Sequence, residues 1–328
     1  MPKKNSNTYI LVDTMNMFFR SKHFAKGGDI NLKIGMAMHI MFNSLRKLYR
    51  ESNNGHVVMC LEGHSWRYEL LPEYKLPRKI KRLEAPPAQQ EEDAIFLEAL
   101  EDLIDFMRKK TNATVIQAPN SEADDLIALW CQSHPDDNNI IVSSDQDYLQ
   151  LIDEHVSIYN GVEDITINLD GFFDSKGKRI EKKGEVNPEW MLFEKCIRGD
   201  KSDNIHSAYP GCRTKGTLKK VGMTEAFEDR NNGGFNWNNF MLQRWTDANG
   251  QEQRVRDRYE FNKKLIDLTM QPDYIRKECM EAILEQTSKK PVPMVGLHFL
   301  KFCGKWDLKR ISDTPDDFAR VLSHRYGT

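Results

Sequence analysis

The run Ile140-Ile141-Val142-Ser143-Ser144-Asp145-Gln146-Asp147 gives the first indication of the fold. In this run, branched apolar residues give way to carboxylates. Three further runs have the same form, with apolar residues first and acidic residues at or after the end: 10–13, 57–62 and 115–125. Short branched runs that alternate with helical periodicity are typical of buried parallel strands. The carboxyl ends of such strands open onto one crevice, so the sequence predicts that distant carboxylates converge there.

These converging carboxylates indicate a divalent metal site. Without cations between them, grouped carboxylates repel one another and raise their own pKa values. Ligand sets made only of oxygen favour Mg²⁺ or Mn²⁺ over zinc. We therefore expect two Mg²⁺ ions, with Mn²⁺ able to substitute, and hydrolysis of a phosphodiester without a protein nucleophile. The chain contains no P-loop, no dinucleotide fingerprint and no Gly-x-Ser-x-Gly elbow, which excludes those classes of enzyme.

Each acidic position also has an ordinary structural explanation. Asp13 alone fits an Asx turn, Glu62 fits a solvated turn, and the acids after Ser121 suit the first turn of any helix. Asp-x-Asp pairs are common in loops, and the acids of 198–205 also fit a helix end. Five coincidences at successive strand and helix ends are much less probable than one common cause, and the shared metal site is therefore the better interpretation.

Charge is balanced in total but uneven along the chain. The 328 residues carry 47 Lys and Arg against 49 Asp and Glu, so net charge indicates no partner. Basic residues concentrate at 74–82 and at 213–220, and aromatic residues are interleaved with the basic residues of 66–82. Cations that engage phosphates beside aromatic faces that stack bases are typical of nucleic-acid binding, whereas the alternative is a solvated surface helix. Prolines at 77, 86 and 87 disfavour one regular helix there.

Cysteine usage and hydropathy indicate the compartment. The six cysteines have no CxxC spacing, which suits reduced thiols, and no apolar run is long enough to span a membrane. The N-terminal residues also lack the apolar region of a signal peptide. We expect a cytoplasmic protein with no membrane partner, in the host cytoplasm if a phage encodes it.

The pattern of periodicities predicts an α/β fold with a mostly parallel central sheet flanked by helices. The predicted boundaries are strands at 8–13, 56–62, 113–118, 139–143, 155–159 and 164–168, and helices at about 31–51, 90–109, 121–133, 146–152, 189–198, 213–221, 252–270, 273–285 and 293–302. A turn of a hairpin is expected at 173–179, and 231–239 is expected to be a loop. The predicted domains are an α/β domain at 1–185 and a helical domain at 186–328.

Taken in order, the motifs resemble the 5′-nuclease family of flap endonucleases and 5′→3′ exonucleases, and within it the phage enzymes of the RNase H and flap endonuclease type. The resemblance extends over about 8–310, and the stretches that carry it are 12–16, 70–75, 122–125, 143–147, 199–204 and 262–268. It implies a PIN-like 5′-nuclease fold with a helical arch at about 64–90 and a C-terminal helical subdomain. That subdomain would bind duplex DNA through a helix-hairpin-helix-like region at about 196–222.

The resemblance also implies the roles of particular residues. One metal would be held by Asp13, Glu62, Glu122 and Asp124, with Asp125 close behind, and the second by Asp145, Asp147, Asp200 and Asp203. Lys75 resembles the arch lysine that contacts the scissile phosphate, assisted by Arg78 or Arg82. The implied DNA contacts are Arg67, Tyr74, Lys75, Arg78, Lys79, Arg213, Thr214 and Lys215. Arg213 stands where the family's second glycine belongs, which argues against the monovalent cation that many members bind there.

The implied function is that of a metal-dependent, structure-selective 5′-nuclease. It would remove DNA 5′ flaps and RNA primers during replication, acting as a monomer on flapped or nicked DNA and on RNA–DNA hybrids. The region 291–306 resembles one that can contact the single-strand-binding protein, although its apolar residues equally fit ordinary packing. Two alternatives are a PIN-type ribonuclease, which would lack the helical half and the basic arch, and a junction-binding protein without catalysis, against which the intact set of acids speaks.

Overall fold

The computed structural model describes residues 6–22, 29–247 and 250–328. The chain divides into two compact units. The first contains Met1–Ser65, Ala85–Val186 and Pro272–Thr328, and the second contains Trp66–Glu84 and Asn187–Gln271. The predicted division at 185 and 186 separates the sheet from the helices that follow it. The prediction places residues 272–328 in the helical domain, whereas in the structure they group with the sheet.

A seven-stranded sheet forms the centre of the first unit. Its strands are β1 (Thr8–Asp13), β2 (His56–Leu61), β3 (Thr114–Gln117), β4 (Asn138–Val142), β5 (Val156–Asn160), β6 (Ile165–Asn168) and β7 (Gly171–Phe173). Their order is β3-β2-β1-β4-β5-β6-β7. Neighbouring strands from β3 through β5 in this order are parallel. Strand β6 is antiparallel to β5, and β7 is antiparallel to β6. The predicted fold class, a mostly parallel sheet flanked by helices, is confirmed.

The helices cover most of the described chain outside the strands. In order they are α1 (Thr14–Lys22), α2 (Ile30–Glu51), α3 (Arg67–Leu70), α4 (Leu76–Leu83), α5 (Pro87–Lys110), α6 (Ala123–Ser133), α7 (Pro188–Arg198), α8 (Met223–Glu228), α9 (Phe235–Met241), α10 (Val255–Ile266), α11 (Asp273–Thr287), α12 (Val295–Lys305), α13 (Lys309–Ser312) and α14 (Pro315–Ser323). Short 3₁₀ helices occur at Gln146–Leu151, Glu181–Lys183 and Arg230–Asn232. No helix of the described residues is both long and apolar enough to cross a membrane.

The core of the first unit lies between the sheet and helices from distant parts of the chain. The buried face of α2 repeats every three or four residues, as in Ile34, Met38 and Phe42, which is the spacing of an amphipathic helix. Helix α12 contributes Phe299 and Phe302 to the same core, and α11 packs on β3 and α6. These contacts explain why 272–328 group with the sheet. They also show that apolar residues of 291–306 serve packing, while contact with a single-strand-binding protein stays a prediction.

The second unit has two small apolar clusters, around Phe193 and around Cys196. Two sequence predictions within it are wrong. Residues 213–221 form a hydrogen-bonded loop instead of a helix, and helix α8 begins only at Met223, after Gly222. The stretch 231–239 contains most of α9, whose Phe240 is fully buried. The antiparallel pair β8 (Arg244–Thr246) and β9 (Glu252–Arg254) has no counterpart among the predicted elements.

Candidate metal centre and nucleic-acid contacts

Asp13 lies at the point where the strand order of the sheet reverses. It is the last residue of β1, which has β2 on one side and β4 on the other. In open α/β sheets this switch point is where ligands bind. The Asp13 Oδ2 atom accepts hydrogen bonds from Ser143 Oγ at 3.1 Å and Tyr148 OH at 3.2 Å, and Oδ1 accepts one from the Asn16 amide at 3.2 Å. The carboxylate is therefore oriented by three donors.

Burial raises the pKa of Asp13 from 3.8 to about 6, against the opposing hydrogen bond from the Asn16 amide. The nearby charge of Asp145 adds to the rise. A carboxylate held in this way is ionised at a free-energy cost, which a cation at the same place would offset. The donor chemistry of the site thus fits a divalent metal.

Several of the predicted ligands influence the titration of Tyr148. Its side chain is buried, and its hydroxyl donates to Asp13. Burial raises the pKa of Tyr148 well above its ordinary value, and the negative charges of Asp13, Asp124, Asp145 and Glu62 raise it further. These carboxylates come from four separate parts of the sequence. The sequence reasoning did not identify Tyr148, although its place directly after Asp147 is a signal that could have found it.

The start of α6 groups three carboxylates. Oxygen atoms of Glu122, Asp124 and Asp125 all lie within 4.8 Å of one another. Glu122 is the N-cap residue and accepts a hydrogen bond from Ser65 Oγ at 2.7 Å, while its amide donates to Asp125 Oδ2 at 3.1 Å. Glu122 and Asp125 form a capping box, in which the side chain of each accepts a hydrogen bond from the backbone amide of the other, and Asp125 is fully buried. The place of Asp125 behind the ligands of the first metal stays a prediction.

Glu62 is brought to the same place by a close backbone approach at Gly63. The Gly63 amide donates to Ser121 O at 2.8 Å, and a Cβ atom at Gly63 would lie only 2.1 Å from Ala118 O. Only glycine permits this contact between the end of β2 and the loop before α6. As a result, Glu62 Oε2 accepts a hydrogen bond from the Ala123 amide at 3.2 Å.

Asp145 and Asp147 lie on the turn that follows β4. Asp145 caps the 3₁₀ helix Gln146–Leu151 by accepting a hydrogen bond from the Asp147 amide at 3.1 Å. The Asp145 amide donates to Ser143 Oγ at 3.1 Å. Asn16 holds this turn next to α1, since its Oδ1 accepts from Ser144 Oγ at 2.8 Å. Asp147 is half-buried.

Asp200 and Asp203 belong to the second unit. Asp200 follows Gly199, which ends α7 with a φ of +74°. Burial opposes ionisation of Asp200, but Lys195 at 2.8 Å and the donors of Ser202 outweigh it and lower the pKa of Asp200 to about 2. Asp203 accepts from Arg78 Nη2 at 2.5 Å and Tyr74 OH at 3.1 Å. Their role as ligands of a second metal stays a prediction.

The basic segment before α4 has a defined conformation within the second unit. Lys75 adopts a left-handed backbone with a φ of +54°, and its amide donates to Asp203 O at 3.0 Å. Its ammonium group lies 5.1 Å from the centre of the Tyr74 ring. Helix α4 buries none of its residues, so Lys79 and Arg82 are exposed, as a contact with phosphates requires.

Two of the implied DNA contacts, Arg67 and Tyr74, are buried instead. Arg67 is 1% exposed, and its Nε donates to Leu265 O at 2.7 Å. Tyr74 is 3% exposed and is committed to Asp203. Because a buried side chain cannot reach a phosphate or a base, we assign both residues to packing. This corrects the sequence-based interpretation of these two positions.

Arg213, Thr214 and Lys215 are exposed on the loop that precedes α8. The backbone of this loop is fixed, since Arg213 O accepts from the Met223 amide at 3.0 Å and Thr214 O from the Thr224 amide at 2.9 Å. The two cationic side chains therefore project from an anchored main chain, while Thr214 Oγ1 accepts a hydrogen bond from Arg198.

Comparison with known proteins defines the class. The family model described as "5'-3' exonuclease, N-terminal resolvase-like domain" matches residues 8–182, more than half of the chain. The chain therefore belongs to the 5′-nuclease family that this domain defines.

Individual relatives agree with this membership. A 5'-3' exonuclease of Mycoplasmopsis pulmonis is 25% identical over 299 residues, which cover 87% of this chain and 91% of that protein. Flap endonuclease Xni of Pseudoalteromonas translucida is 27% identical over 220 residues, 63% of this chain and 74% of that protein. The fold resembles the T5 5'-exonuclease with bound zinc, with a TM-score of 0.60 and 20% identity over 85% of this chain and 99% of the T5 chain.

Proposed function

We propose that this chain is a metal-dependent, structure-selective 5′-nuclease that hydrolyses phosphodiesters of DNA 5′ flaps and nicks and of RNA primers paired with DNA during replication. The observation that carries the proposal is the group of carboxylates at the start of α6, where Glu122, Asp124 and Asp125 lie within 4.8 Å of one another and Glu62 accepts a hydrogen bond from the Ala123 amide. The exonuclease and flap endonuclease relatives support the choice of substrate. Under this proposal the protein acts as a monomer in the cytoplasm, within the host if a phage encodes it.

The proposed cofactor is a pair of Mg²⁺ ions, for which Mn²⁺ can substitute. The first ion would be held by Asp13, Glu62, Glu122 and Asp124, and the second by Asp145, Asp147, Asp200 and Asp203. The oxygen-only donor set of Glu122, Asp124 and Asp125 at the start of α6 supports hard cations. When bound, such ions supply an activated water and stabilise the leaving oxygen of an in-line displacement. We assign no monovalent cation to the loop at Arg213.

The chain's own residues would orient the ligands and bind the substrate backbone. Ser143 and Tyr148 fix the orientation of the Asp13 carboxylate through their hydroxyl groups. Lys75, Arg78 and Arg82 would contribute positive charge beside the scissile phosphate. Contacts of this kind select the shape and the backbone of a nucleic acid without reading its bases, which suits selection of a flap or nick.

A time course on four 5′-labelled substrates tests the proposal: a 5′ flap, a nicked duplex, an RNA primer on DNA, and a single strand. We expect cleavage of the first three with Mg²⁺ or Mn²⁺, and its loss with EDTA. Asp145→Asn should abolish cleavage and retain binding. Asp170→Asn is the matched control, because this exposed carboxylate lies in the β6–β7 turn.

The alternatives give different results in the same assay. Preferential cleavage of single-stranded RNA would indicate a PIN-type ribonuclease. Tight binding of flaps without cleavage by the unmodified protein would indicate a junction-binding protein. Cleavage that persists unchanged in EDTA, or in Asp145→Asn, would overturn the proposed metal mechanism.

A further inference from the structure

Lys75 adopts a backbone conformation that lysine rarely adopts. Its φ of +54° lies in the left-handed region, and Lys75 is the residue directly before helix α4. Few residues other than glycine, asparagine and aspartate occupy this region, because Cβ comes too close to the following carbonyl oxygen. Strain of this kind persists only where surrounding contacts impose it. The contacts that impose it therefore identify the residues that act on Lys75.

Three consecutive residues that end at Lys75 are each bound to Asp203 or Asn204. The Asn204 Nδ2 donates to Glu73 O at 3.0 Å, and the Lys75 amide donates to Asp203 O at 3.0 Å. Between them, Tyr74 OH donates to Asp203 Oδ2 at 3.1 Å, and both of these side chains are buried. Two neighbouring residues thus hold the whole turn that leads into α4.

The loop 200–205 is itself fixed by hydrogen bonds. The Asp200 amide donates to Ile205 O at 2.8 Å, and the Ile205 amide donates to Asp200 O at 2.7 Å. Asn204 is left-handed as well, with a φ of +62°, which asparagine tolerates better than most residues. The loop therefore presents its hydrogen-bonding groups to the turn from a defined backbone.

The side chain of Lys75 is oriented by the same neighbours. Lys75 is half-buried, and its ammonium group lies 5.1 Å from the centre of the Tyr74 ring, within the range of a cation–π contact. The Tyr74 ring belongs to the apolar cluster that contains Cys196 and Ile205, so the ring is held in place. The direction of the ammonium group consequently follows from a strained backbone and a buried ring.

We infer that Asn204, together with the backbone of Asp203, is a positioning residue that holds Lys75 left-handed and so directs its ammonium group at the phosphate of the substrate. Position 204 requires an amide donor for Glu73 O and a residue that tolerates a positive φ. Asparagine meets both requirements, whereas glycine and aspartate meet only the second. The functional part of this inference rests on the proposed function, which supplies the phosphate, and the conformational part does not.

Hydrogen exchange on the full chain, without metal or DNA, tests the conformational part. Asn204→Gly and Asn204→Asp remove the amide donor and no proposed metal ligand. Both should speed amide exchange in residues 73–79 about twofold to tenfold, because one hydrogen bond of the turn is lost. Exchange of β2 should not change, which shows that the sheet stays folded. Asn54→Gly is the matched control and should leave exchange at 73–79 unchanged, since Asn54 is an exposed asparagine with a φ of +73° in the turn before β2.

Two substitutions of Lys75 measure the strain. Lys75→Gly and Lys75→Ala both remove the cation, but only alanine has a Cβ that disfavours the left-handed backbone. Lys75→Gly should therefore have a higher melting temperature than Lys75→Ala. In the Asn204→Gly background this difference should disappear or change sign, because residue 75 becomes free to relax. A difference of the same size in both backgrounds would show that Asn204 does not impose the conformation.

Cleavage of a 5′ flap tests the functional part. Asn204→Gly should lower kcat about threefold to tenfold, because the ammonium group is no longer held in place. In the Lys75→Ala background the same substitution should cause less than about a twofold further loss, since no lysine is left to position. Asn54→Gly should cleave at the parent rate. A structural role without positioning would instead give losses that multiply in the double variant.

Two results would overturn the inference. One is unchanged exchange at 73–79 in both Asn204 variants, and the other is full multiplication of the losses from Asn204→Gly and Lys75→Ala. Both results leave the nuclease activity of the parent in place. A parent protein that does not cleave flapped substrates would instead refute the proposed function, while exchange and melting would still decide the conformational part. The two failures are therefore distinguishable.

Discussion

Replacement of Asp13 by asparagine should stabilise the metal-free protein at neutral pH, although it removes a predicted metal ligand. Burial, with the added charge of Asp145, raises the pKa of Asp13 from 3.8 to about 6. An asparagine at this position keeps the shape and the hydrogen bonds. Its Oδ1 can accept from the Asn16 amide, and its Nδ2 can donate to the hydroxyls of Ser143 and Tyr148, which accept as well as donate.

The magnitude follows from the raised pKa. Between pH 3.8 and about 6, the folded protein binds more protons at Asp13 than the unfolded chain does, so stability falls as pH rises through this window. The rise of the pKa from 3.8 to about 6 lowers the free energy of unfolding by roughly 3 kcal/mol above pH 6. Below pH 3.8 both states bind the proton, and the penalty disappears.

Urea unfolding in EDTA at a series of pH values measures this effect. Asp13→Asn should exceed the parent in stability by roughly 1–3 kcal/mol at neutral pH, and the two should converge on acidification below the ordinary carboxyl pKa. Added Mg²⁺ should stabilise the parent more than the variant, because a ligand that binds only the folded state stabilises it. Asp170→Asn serves as the control with an exposed carboxylate. A variant that is less stable than the parent by the same amount at every pH would refute the reasoning.

Three further predictions concern other parts of the structure. Burial lowers the pKa of His56 from 6.5 to about 3, so the unfolded chain binds the extra proton and stability is lost as pH falls from 6.5 to about 3. His56→Gln should reduce that loss of stability in urea titrations, and a pH profile identical to that of the parent would contradict this prediction. Gly63→Ala should lower the cleavage rate at least about tenfold and lower the melting temperature, because the new Cβ collides with the loop before α6. The control Gly35→Ala, in open space on α2, should be neutral or stabilising by up to about 1 kcal/mol. Lys195→Met should raise the pKa of Asp200 above about 2 in an NMR titration, since the lysine holds it down; a value that does not move would show that Ser202 suffices.

The sheet and the carboxylates at the ends of its strands were predictable because they depend on local sequence. Runs such as 140–142 are branched and apolar throughout, which is typical of buried parallel strands. Asp13 follows such a run directly and Asp145 follows one after two serines, so parallel strand order places both at the same edge of the sheet. Both raise the pKa of Tyr148, which is consistent with that expectation.

The remaining features depend on tertiary contacts that local sequence does not encode. Tyr148 looks like any core tyrosine until the carboxylates around it are known. Arg67 looks like a surface cation, yet it is buried against Leu265, which is distant in sequence. Helix α9 has few aliphatic residues, and its buried contacts are made by aromatic residues such as Phe240. The loop before α8 has helix-forming lysines, but it also contains Gly216 and Gly222, whose amides donate to the more distant Glu225.

The interleaving of the two units along the chain has a consequence for biosynthesis. Phe42 and Phe106 are made early, but their partners Phe299 and Phe302 follow only after the ribosome has passed residues 187–271 of the other unit. The emerging chain must therefore keep a large aromatic surface uncovered through most of translation, when association with other nascent chains competes with folding. A fragment that ends at residue 271 would retain that defect permanently, and we expect it to depend on chaperones.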